Sequence, residues 1–468
     1  MAQWANFPWD QAVFSNADET ILRGAPAAAE NVYANAAGGF SRFPGLRPFA
    51  LLPGQGRVTL KRYRDDLVAA CETGQVFVVD RKGEATNVTG TPISVGERPI
   101  FAETEEALII AAGGPLVRLS SGRTTLLSAA APLSTHVAYL DGYLIAPERF
   151  TGRFRHSNVG EPTVWEDLSV FTAEGKPDPV LACVVTPFRE LLLAGPESIE
   201  QWETLAGGEG PFFRRWTNGE GIAHPYTLVT DTTGTYGVNL RAEFTRFQAQ
   251  VSREASERIA LSLQAIDDWT GAWAASLAIK GQRFIILQAP NAWSESHGCR
   301  GVTFLLDYRA QRWSMLWGYD PATGNAARWP GWSIESCWGR TYVGYDGGIA
   351  ELALDAYDNL SQPMRCVLRS AHVDEFGPSR IDDVRVRLRR GVGDYGAREP
   401  RFSLRMRRDN HDWTDWVWRS MGAPGENVLV DRLGGMGIAN TWQMEIACSD
   451  PVPFEFTRAQ ILVERMGW

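Results

Sequence analysis

From Arg57 onward, short apolar runs come in fours, separated by Gly, Pro, Asp and Asn. "RVTL", "DLVAAC", "GQVFVVD" and "EATNVT" form one group; "PIFAET", "EALIIAA", "GPLVRLS" and "RTTLLS" form the next. The grouping returns every ~40 residues, without a shared signature dipeptide. Runs this short and this rich in β-formers read as strands, because an amphipathic helix needs a 3.6-residue period over a longer span. A four-stranded sheet cannot bury both faces alone, and stacking such sheets radially buries them all. The spacing therefore predicts an all-β chain with a β-propeller over residues 51–358. Seven groups can be marked, but the fifth and seventh lack a fourth run, so six and seven blades both fit. "SERIALSLQAI" fits a helix through Ile259, Leu263 and Ile266, and a strand through Ile259, Leu261 and Leu263.

Beyond about Leu360 the texture changes. "MRCVLRSAHV", "DDVRVRLRR", "RFSLRMRRD", "DWVWRSM", "VLVDRL", "TWQMEIACS" and "AQILVERM" read as strands with polar turns, which predicts a C-terminal β-sandwich over residues 359–468. Residues 1–50, rich in Ala, Pro, Asn and Gly, predict an extended N-terminal arm.

Paired carboxylates beside an aromatic residue are what a glycosidase displays, and "ESIEQWET" offers Glu197, Glu200 and Glu203 next to Trp202. On a strand, Ser198, Glu200 and Trp202 share one face, and Glu197 and Glu203 lie on the other, ~20 Å apart at ~3.3 Å per residue. Glycosidase carboxyls stand ~5–9.5 Å apart, so no pair within this strand qualifies. Glu200 is expected instead to accept hydrogen bonds from a neighbouring loop, with Trp202 packed between blades.

Other motifs lack the context their chemistry needs. "GVGDYG" matches a dinucleotide fingerprint at Gly391, Gly393 and Gly396, but a strand rather than a helix follows, so it reads as a hairpin loop. "DNHDWTDW" has the pattern of an Asp-box turn, a structural hairpin. The six histidines are dispersed. No catalytic residues, cofactor or metal ligands are expected. The six cysteines are scattered without a C-x-x-C, which predicts free thiols in a reducing compartment. The opening "MAQWANFPWDQAVF" predicts no signal peptide, and no apolar run reaches the ~18 residues of a membrane anchor.

Charge is unevenly placed. Arg380–Arg408 holds ten arginines against Asp382, Asp383, Asp394 and Glu399, six more positive than negative charges. The chain as a whole carries −9, so the rest carries −15. Arg385, Arg387 and Arg389 alternate with Val386 and Leu388 on one predicted strand, and Arg405 and Arg407 share a face of another. Such faces are either solvated or meet acidic protein or the DNA backbone.

The order of segments resembles the packaged-DNA stabilisation proteins, the tail hub or nozzle proteins of short-tailed bacteriophages. The resemblance spans roughly residues 30–468 and is strongest over 135–350. It is carried by "FSRFPGLRPF" with Pro44 and Gly45, and by "LDGYLIAPERFTGRFRHSNVGEPTVWEDL". It continues through "ELLLAGPESIEQWETLAGGEGPFFRRWTNGEGIAHP" with Ser198, Glu200, Trp202, Pro211 and Phe212. "GQRFIILQAPN" followed by "FLLDYRAQRWSML" completes it. These are structural patterns, not catalytic signatures. The resemblance implies a non-enzymatic virion protein, assembled in the host cytoplasm as a homo-hexameric ring below the portal and adaptor proteins. Such a ring would pass genomic double-stranded DNA through its lumen without reading sequence, help retain it, and dock tail fibres or spikes and a tail needle or tip. The resemblance also favours a helix at "SERIALSLQAI". The competing readings are a propeller glycosidase or sialidase and a cytoplasmic propeller scaffold.

Overall fold

Among the described residues the groups fold as seven antiparallel blades of four strands: five are separate four-stranded sheets, and two are parts of larger sheets of nine and six strands. A computed structural model describes residues 2–9, 28–173, 175–204, 211–249, 251–392, 399–409, 411–426 and 434–466. Blade 1 runs Val58–Tyr63, Asp66–Cys71, Val76–Val79 and Ala85–Asn87. Blade 2 begins at Ile100–Glu103, blade 3 at Ala138–Leu140, blade 4 at Ala182–Val185, blade 5 at Val229–Asp231 and blade 6 at Trp273–Ile279. The first strands of neighbouring blades lie against each other, so they are the innermost strands and line the propeller axis.

Two details settle the blade number. The fifth group's missing strand is Val251–Glu254, a polar edge strand with almost no apolar signal. The seventh group, Ser333–Cys337, Arg340–Tyr345 and Gly348–Ala353, takes its fourth strand from the other end of the chain. Gly45–Leu51 pairs antiparallel with Gly348–Ala353. This closes the ring, and the resulting face of blade 7 packs on blade 1 through Ala50, Leu52, Tyr342 and Ile349 against Val58, Leu67 and Ala69.

The continuous apolar runs now have a cause. In blade 2, Leu108 and Ile110 point into the interface with blade 1, whereas Ile109 and Ala111 point toward blade 3. In blade 4, Leu191 and Leu193 face blade 3, and Leu192 and Ala194 face blade 5. A mid-blade strand is buried on both faces, so alternation disappears from its sequence. Hairpins are tight where the sequence allows it. Asp141 and Gly142, both at positive φ, join two strands of blade 3, a conformation glycine adopts at no steric cost. The ambiguous "SERIALSLQAI" is helical, as Glu257–Ile259 and Ala260–Gln264, and buries Ile259 and Leu263 between blades 5 and 6.

The C-terminal strands form a sandwich of two sheets around one core that includes Phe402, Leu404, Met444, Ile446, Ile461 and Val463. The first sheet pairs Ser379–Leu388 with Glu455–Arg465 and Gly437–Ala439. The second places Trp442–Cys448 between Cys366–Arg369 and Arg401–Arg408, with Val417–Ser420 at the edge. The run "VLVDRL" lies outside the described residues.

The described parts of the arm are extended and shared among these bodies. Gln3–Asn6 and Phe40–Arg42 join the first sheet. Ala28–Glu30 inserts between Cys366–Arg369 and the outer strand of blade 6, so one nine-stranded sheet runs from propeller to sandwich. Gly45–Leu51 then enters blade 7. Arg42, only 6% exposed, pins the arm by donating to the carbonyls of Tyr357, Asp450 and Cys448 and to the Cys366 thiol. All six cysteines are free.

Candidate functional site

Glu200 is 1% exposed and sits on the third strand of blade 4. Its carboxylate accepts from the Gly175 amide, from Trp202 Nε1 at 2.9 Å and from Arg214 at 3.1 Å. Trp202 packs edge-on to Phe154 of blade 3, with ring centroids 5.3 Å apart, and Phe212 joins the same cluster. Ser198 donates to Asp178 at 3.0 Å. Half-buried Pro211 leads into the strand that carries Phe212. The other two carboxylates turn elsewhere: Glu197 faces Lys176 at 3.7 Å and Glu203 faces Arg215 at 3.8 Å. The carboxylates of this segment therefore meet separate cations and do not converge on a shared cleft. Pro44 and Gly45 are buried where the arm enters blade 7, and a Cβ at Gly45 would lie 2.2 Å from the Asp358 carbonyl oxygen.

A second cluster escaped the sequence reading. Residues leading into the innermost strands meet across the propeller axis. Arg98 of blade 2 donates to the Trp332 carbonyl at 2.7 Å. Its guanidinium lies 4.7 Å from the Trp273 ring and 5.0 Å from Trp332, on blades 6 and 7. Arg57 stacks on Trp332 as well, at 4.5 Å. Tyr226, entering blade 5, donates to Glu97 at 2.7 Å and stacks on His136, which enters blade 3. Blades 2 and 6 are opposite in a seven-membered ring, so these contacts bridge the axis. Burial pushes Arg98 down to about 9, which leaves it charged at neutral pH, facing aromatic rings that favour a cation.

His136 is 4% exposed, and burial pushes its pKa down to about 3. Unfolding returns it to about 6.5, so the unfolded chain binds more protons between these values. Its contribution is complete above pH 6.5 and is lost as pH falls toward 3. The melting temperature is expected to drop across that window, by at most ~1.4 kcal/mol of stability per pH unit from this group. His136→Gln should flatten the profile in thermal melts at stepped pH; an unchanged profile would show that this imidazole is not held neutral.

The arginines separate. Val386 and Leu388 enter the sandwich core as the alternation predicts, and Arg385, Arg387 and Arg389 project from the first sheet. Leu404 and Met406 enter the same core from the second sheet, so Arg405 and Arg407 project from the opposite side of the sandwich. Arg405 is held by Glu445 at 2.9 Å and lies 4.7 and 4.3 Å from the Trp413 and Trp416 rings. Arg407 donates to the His411 carbonyl at 2.7 Å. Asp409, heading the Asp-box-like turn, accepts the amides of Asn440 and Thr441, a structural use. Gly393 and Gly396 of "GVGDYG" lie outside the described residues.

A cleft of about 1260 Å³ separates the blade 6 hairpin from the second sandwich sheet. His297 lines it, 3.3 Å from Glu30 and stacked on Trp317 with centroids 3.8 Å apart. No cluster of three or more His, Cys, Asp or Glu with metal-binding geometry occurs among the described residues.

No family model matches the chain, and no curated protein matches it. Similar solved structures include the WD40 β-propeller domain of Doa1, 13% identical, covering 66% of this chain and 96% of that one, with a TM-score of 0.39. The N-terminal domain of Nup159 is 9% identical, covers 70% of this chain and 98% of that one, and has a TM-score of 0.38. The propeller assignment rests on the strand pairings described above.

Proposed function

We propose that this chain is a structural subunit of a short-tailed phage tail, a hub or nozzle protein rather than an enzyme. In this reading copies form a ring below the portal and adaptor, extend the DNA channel, help retain packaged DNA, and dock fibres or spikes and a needle or tip. The observation that carries it is Glu200. The stretch most like the hub family is also the one most like a glycosidase site, and its buried carboxylate holds a loop, an indole and an arginine in place. A glycosidase would need a second carboxyl ~5–9.5 Å away, facing a cleft.

The bridged axis supports a further feature of the reading. Arg98 and Tyr226 cross the centre of the propeller, so a duplex would run between subunits instead of through one. An acidic body suits that path, since it does not grip a passing polyanion. Disrupting the gene is expected to give heads that fill with DNA and then lose it; stable, infectious, DNA-filled particles would contradict the role.

A further inference from the structure

We propose that the outer face of the first sandwich sheet binds the acidic turns of blades 1–3 on a second copy of this chain. The inference rests on the ring reading above and names the surfaces that would build the ring. Arg387 stands directly opposite Arg458 in the pairing of Ser379–Leu388 with Glu455–Arg465. Like charges directly opposite across a ladder are unfavourable. Arg385 is one step further along the same face, with its guanidinium 3.6 Å above the Trp4 ring. The acids on this face are already engaged at its ends, Glu455 with Arg389 and Glu464 with Arg380. Among the described residues Arg385, Arg387 and Arg458 have no acidic partner. The Nε donors of Arg385 and Arg458 are buried without a hydrogen bond.

The complementary surface is on the propeller. The turn after the innermost strand of blade 2 exposes Glu103, Glu105 and Glu106 with no basic residue among them, the adjoining blade 1 turn exposes Asp65 and Asp66 together with Arg62 and Arg64, and the loop between the third and fourth strands of blade 3 exposes Glu161. Tyr63 and Arg64 donate to the Glu106 carbonyl, so the first two turns are adjacent. The blade 3 loop also exposes Leu168, at 92%, which gives an apolar contact beside the charges. The sandwich joins the outer strand of blade 6, which sits across the axis from blades 2 and 3. The first sheet and the sheets of blades 1–3 share no strand pairing. A head-to-tail contact between copies brings the two charges together and repeats around a closed ring.

The test is sedimentation velocity of the purified full chain at low and high salt, with circular dichroism as the folding control. The wild type is expected to sediment as a multimer that salt weakens. Arg387→Glu with Arg458→Glu should weaken association about tenfold or more without unfolding the chain, and so should Glu103→Arg, Glu105→Arg and Glu106→Arg combined. Mixing the two reversed proteins should restore the multimer, because each surface then meets its opposite. A multimer indifferent to both sets of changes overturns the assignment of these surfaces and leaves the ring reading standing. A wild type that stays monomeric throughout overturns both. If the arginine variant stays multimeric but loses binding to a duplex DNA, the face is a nucleic-acid surface and the proposal is wrong.

Discussion

Leu46→Ala is expected to destabilise the propeller by about 2–5 kcal/mol, the range for deleting a fully buried leucine side chain. Leu46 is 0% exposed, and packs with Tyr33, Phe43, Leu316, Trp329 and Val343 where the closing strand, blade 6 and blade 7 converge. Its backbone pairs with Leu352 on one side, and its carbonyl accepts the Leu360 amide at 2.8 Å on the other. Weakening this strand leaves blade 7 with three strands and an open edge, so the damage extends beyond one cavity. The neighbouring Arg47→Ala is the control. Arg47 pairs with Asp355 in solvent, side chains 47% and 74% exposed, and its removal should cost under ~1 kcal/mol. Urea unfolding followed by tryptophan fluorescence measures both. Equal midpoints would mean that Gly45–Leu51 does not close the ring.

Glu200→Gln is the second large effect. The amide keeps the shape, but it can satisfy only part of what the carboxylate accepts and presents an N–H₂ to groups that are themselves donors. Leaving a buried donor unpaired costs ~1–3 kcal/mol, and removing one partner of a buried ion pair costs ~3–5 kcal/mol. Arg214, at 38% side-chain exposure, can turn to solvent, so about 2–3 kcal/mol is expected. Glu203→Gln, whose partner is a half-exposed pair with Arg215, should cost under ~1 kcal/mol. Loss of a measurable glycosidase turnover in a Glu200→Gln protein of unchanged stability would refute the architectural role.

These two residues also mark how far the sequence could be read. Glu200 and Trp202 share a face because strand alternation is local, and local periodicity is visible in a single chain. Blade closure is not local. Nothing near Gly45–Leu51 announces a partner about three hundred residues away, so the seventh group reads as incomplete. Val251–Glu254 is hidden for a different reason: an outer edge strand is mostly exposed and carries no apolar pattern. In "SERIALSLQAI" the burial of Ile259 and Leu263 with Leu261 only half-buried is the helical alternative, which packing against blade 6 selects.

The arginines teach the same lesson from the surface. Alternation in "VRVRLRR" correctly separates core from exterior, yet it cannot say which of two sheets a strand joins. Arg385 and Arg405 therefore look like one ladder and lie on opposite sides of the sandwich. Arg458 and Arg98 are isolated in sequence, and only pairing register or blade order reveals what each faces.

The proposed tail role is tested most directly by imaging particles from a phage in which this gene is disrupted. Heads that have packaged DNA and then emptied, with portals lacking the tail below the adaptor and with filling restored by supplying the protein, are the expected result. Intact tails on DNA-filled, infectious particles would contradict it.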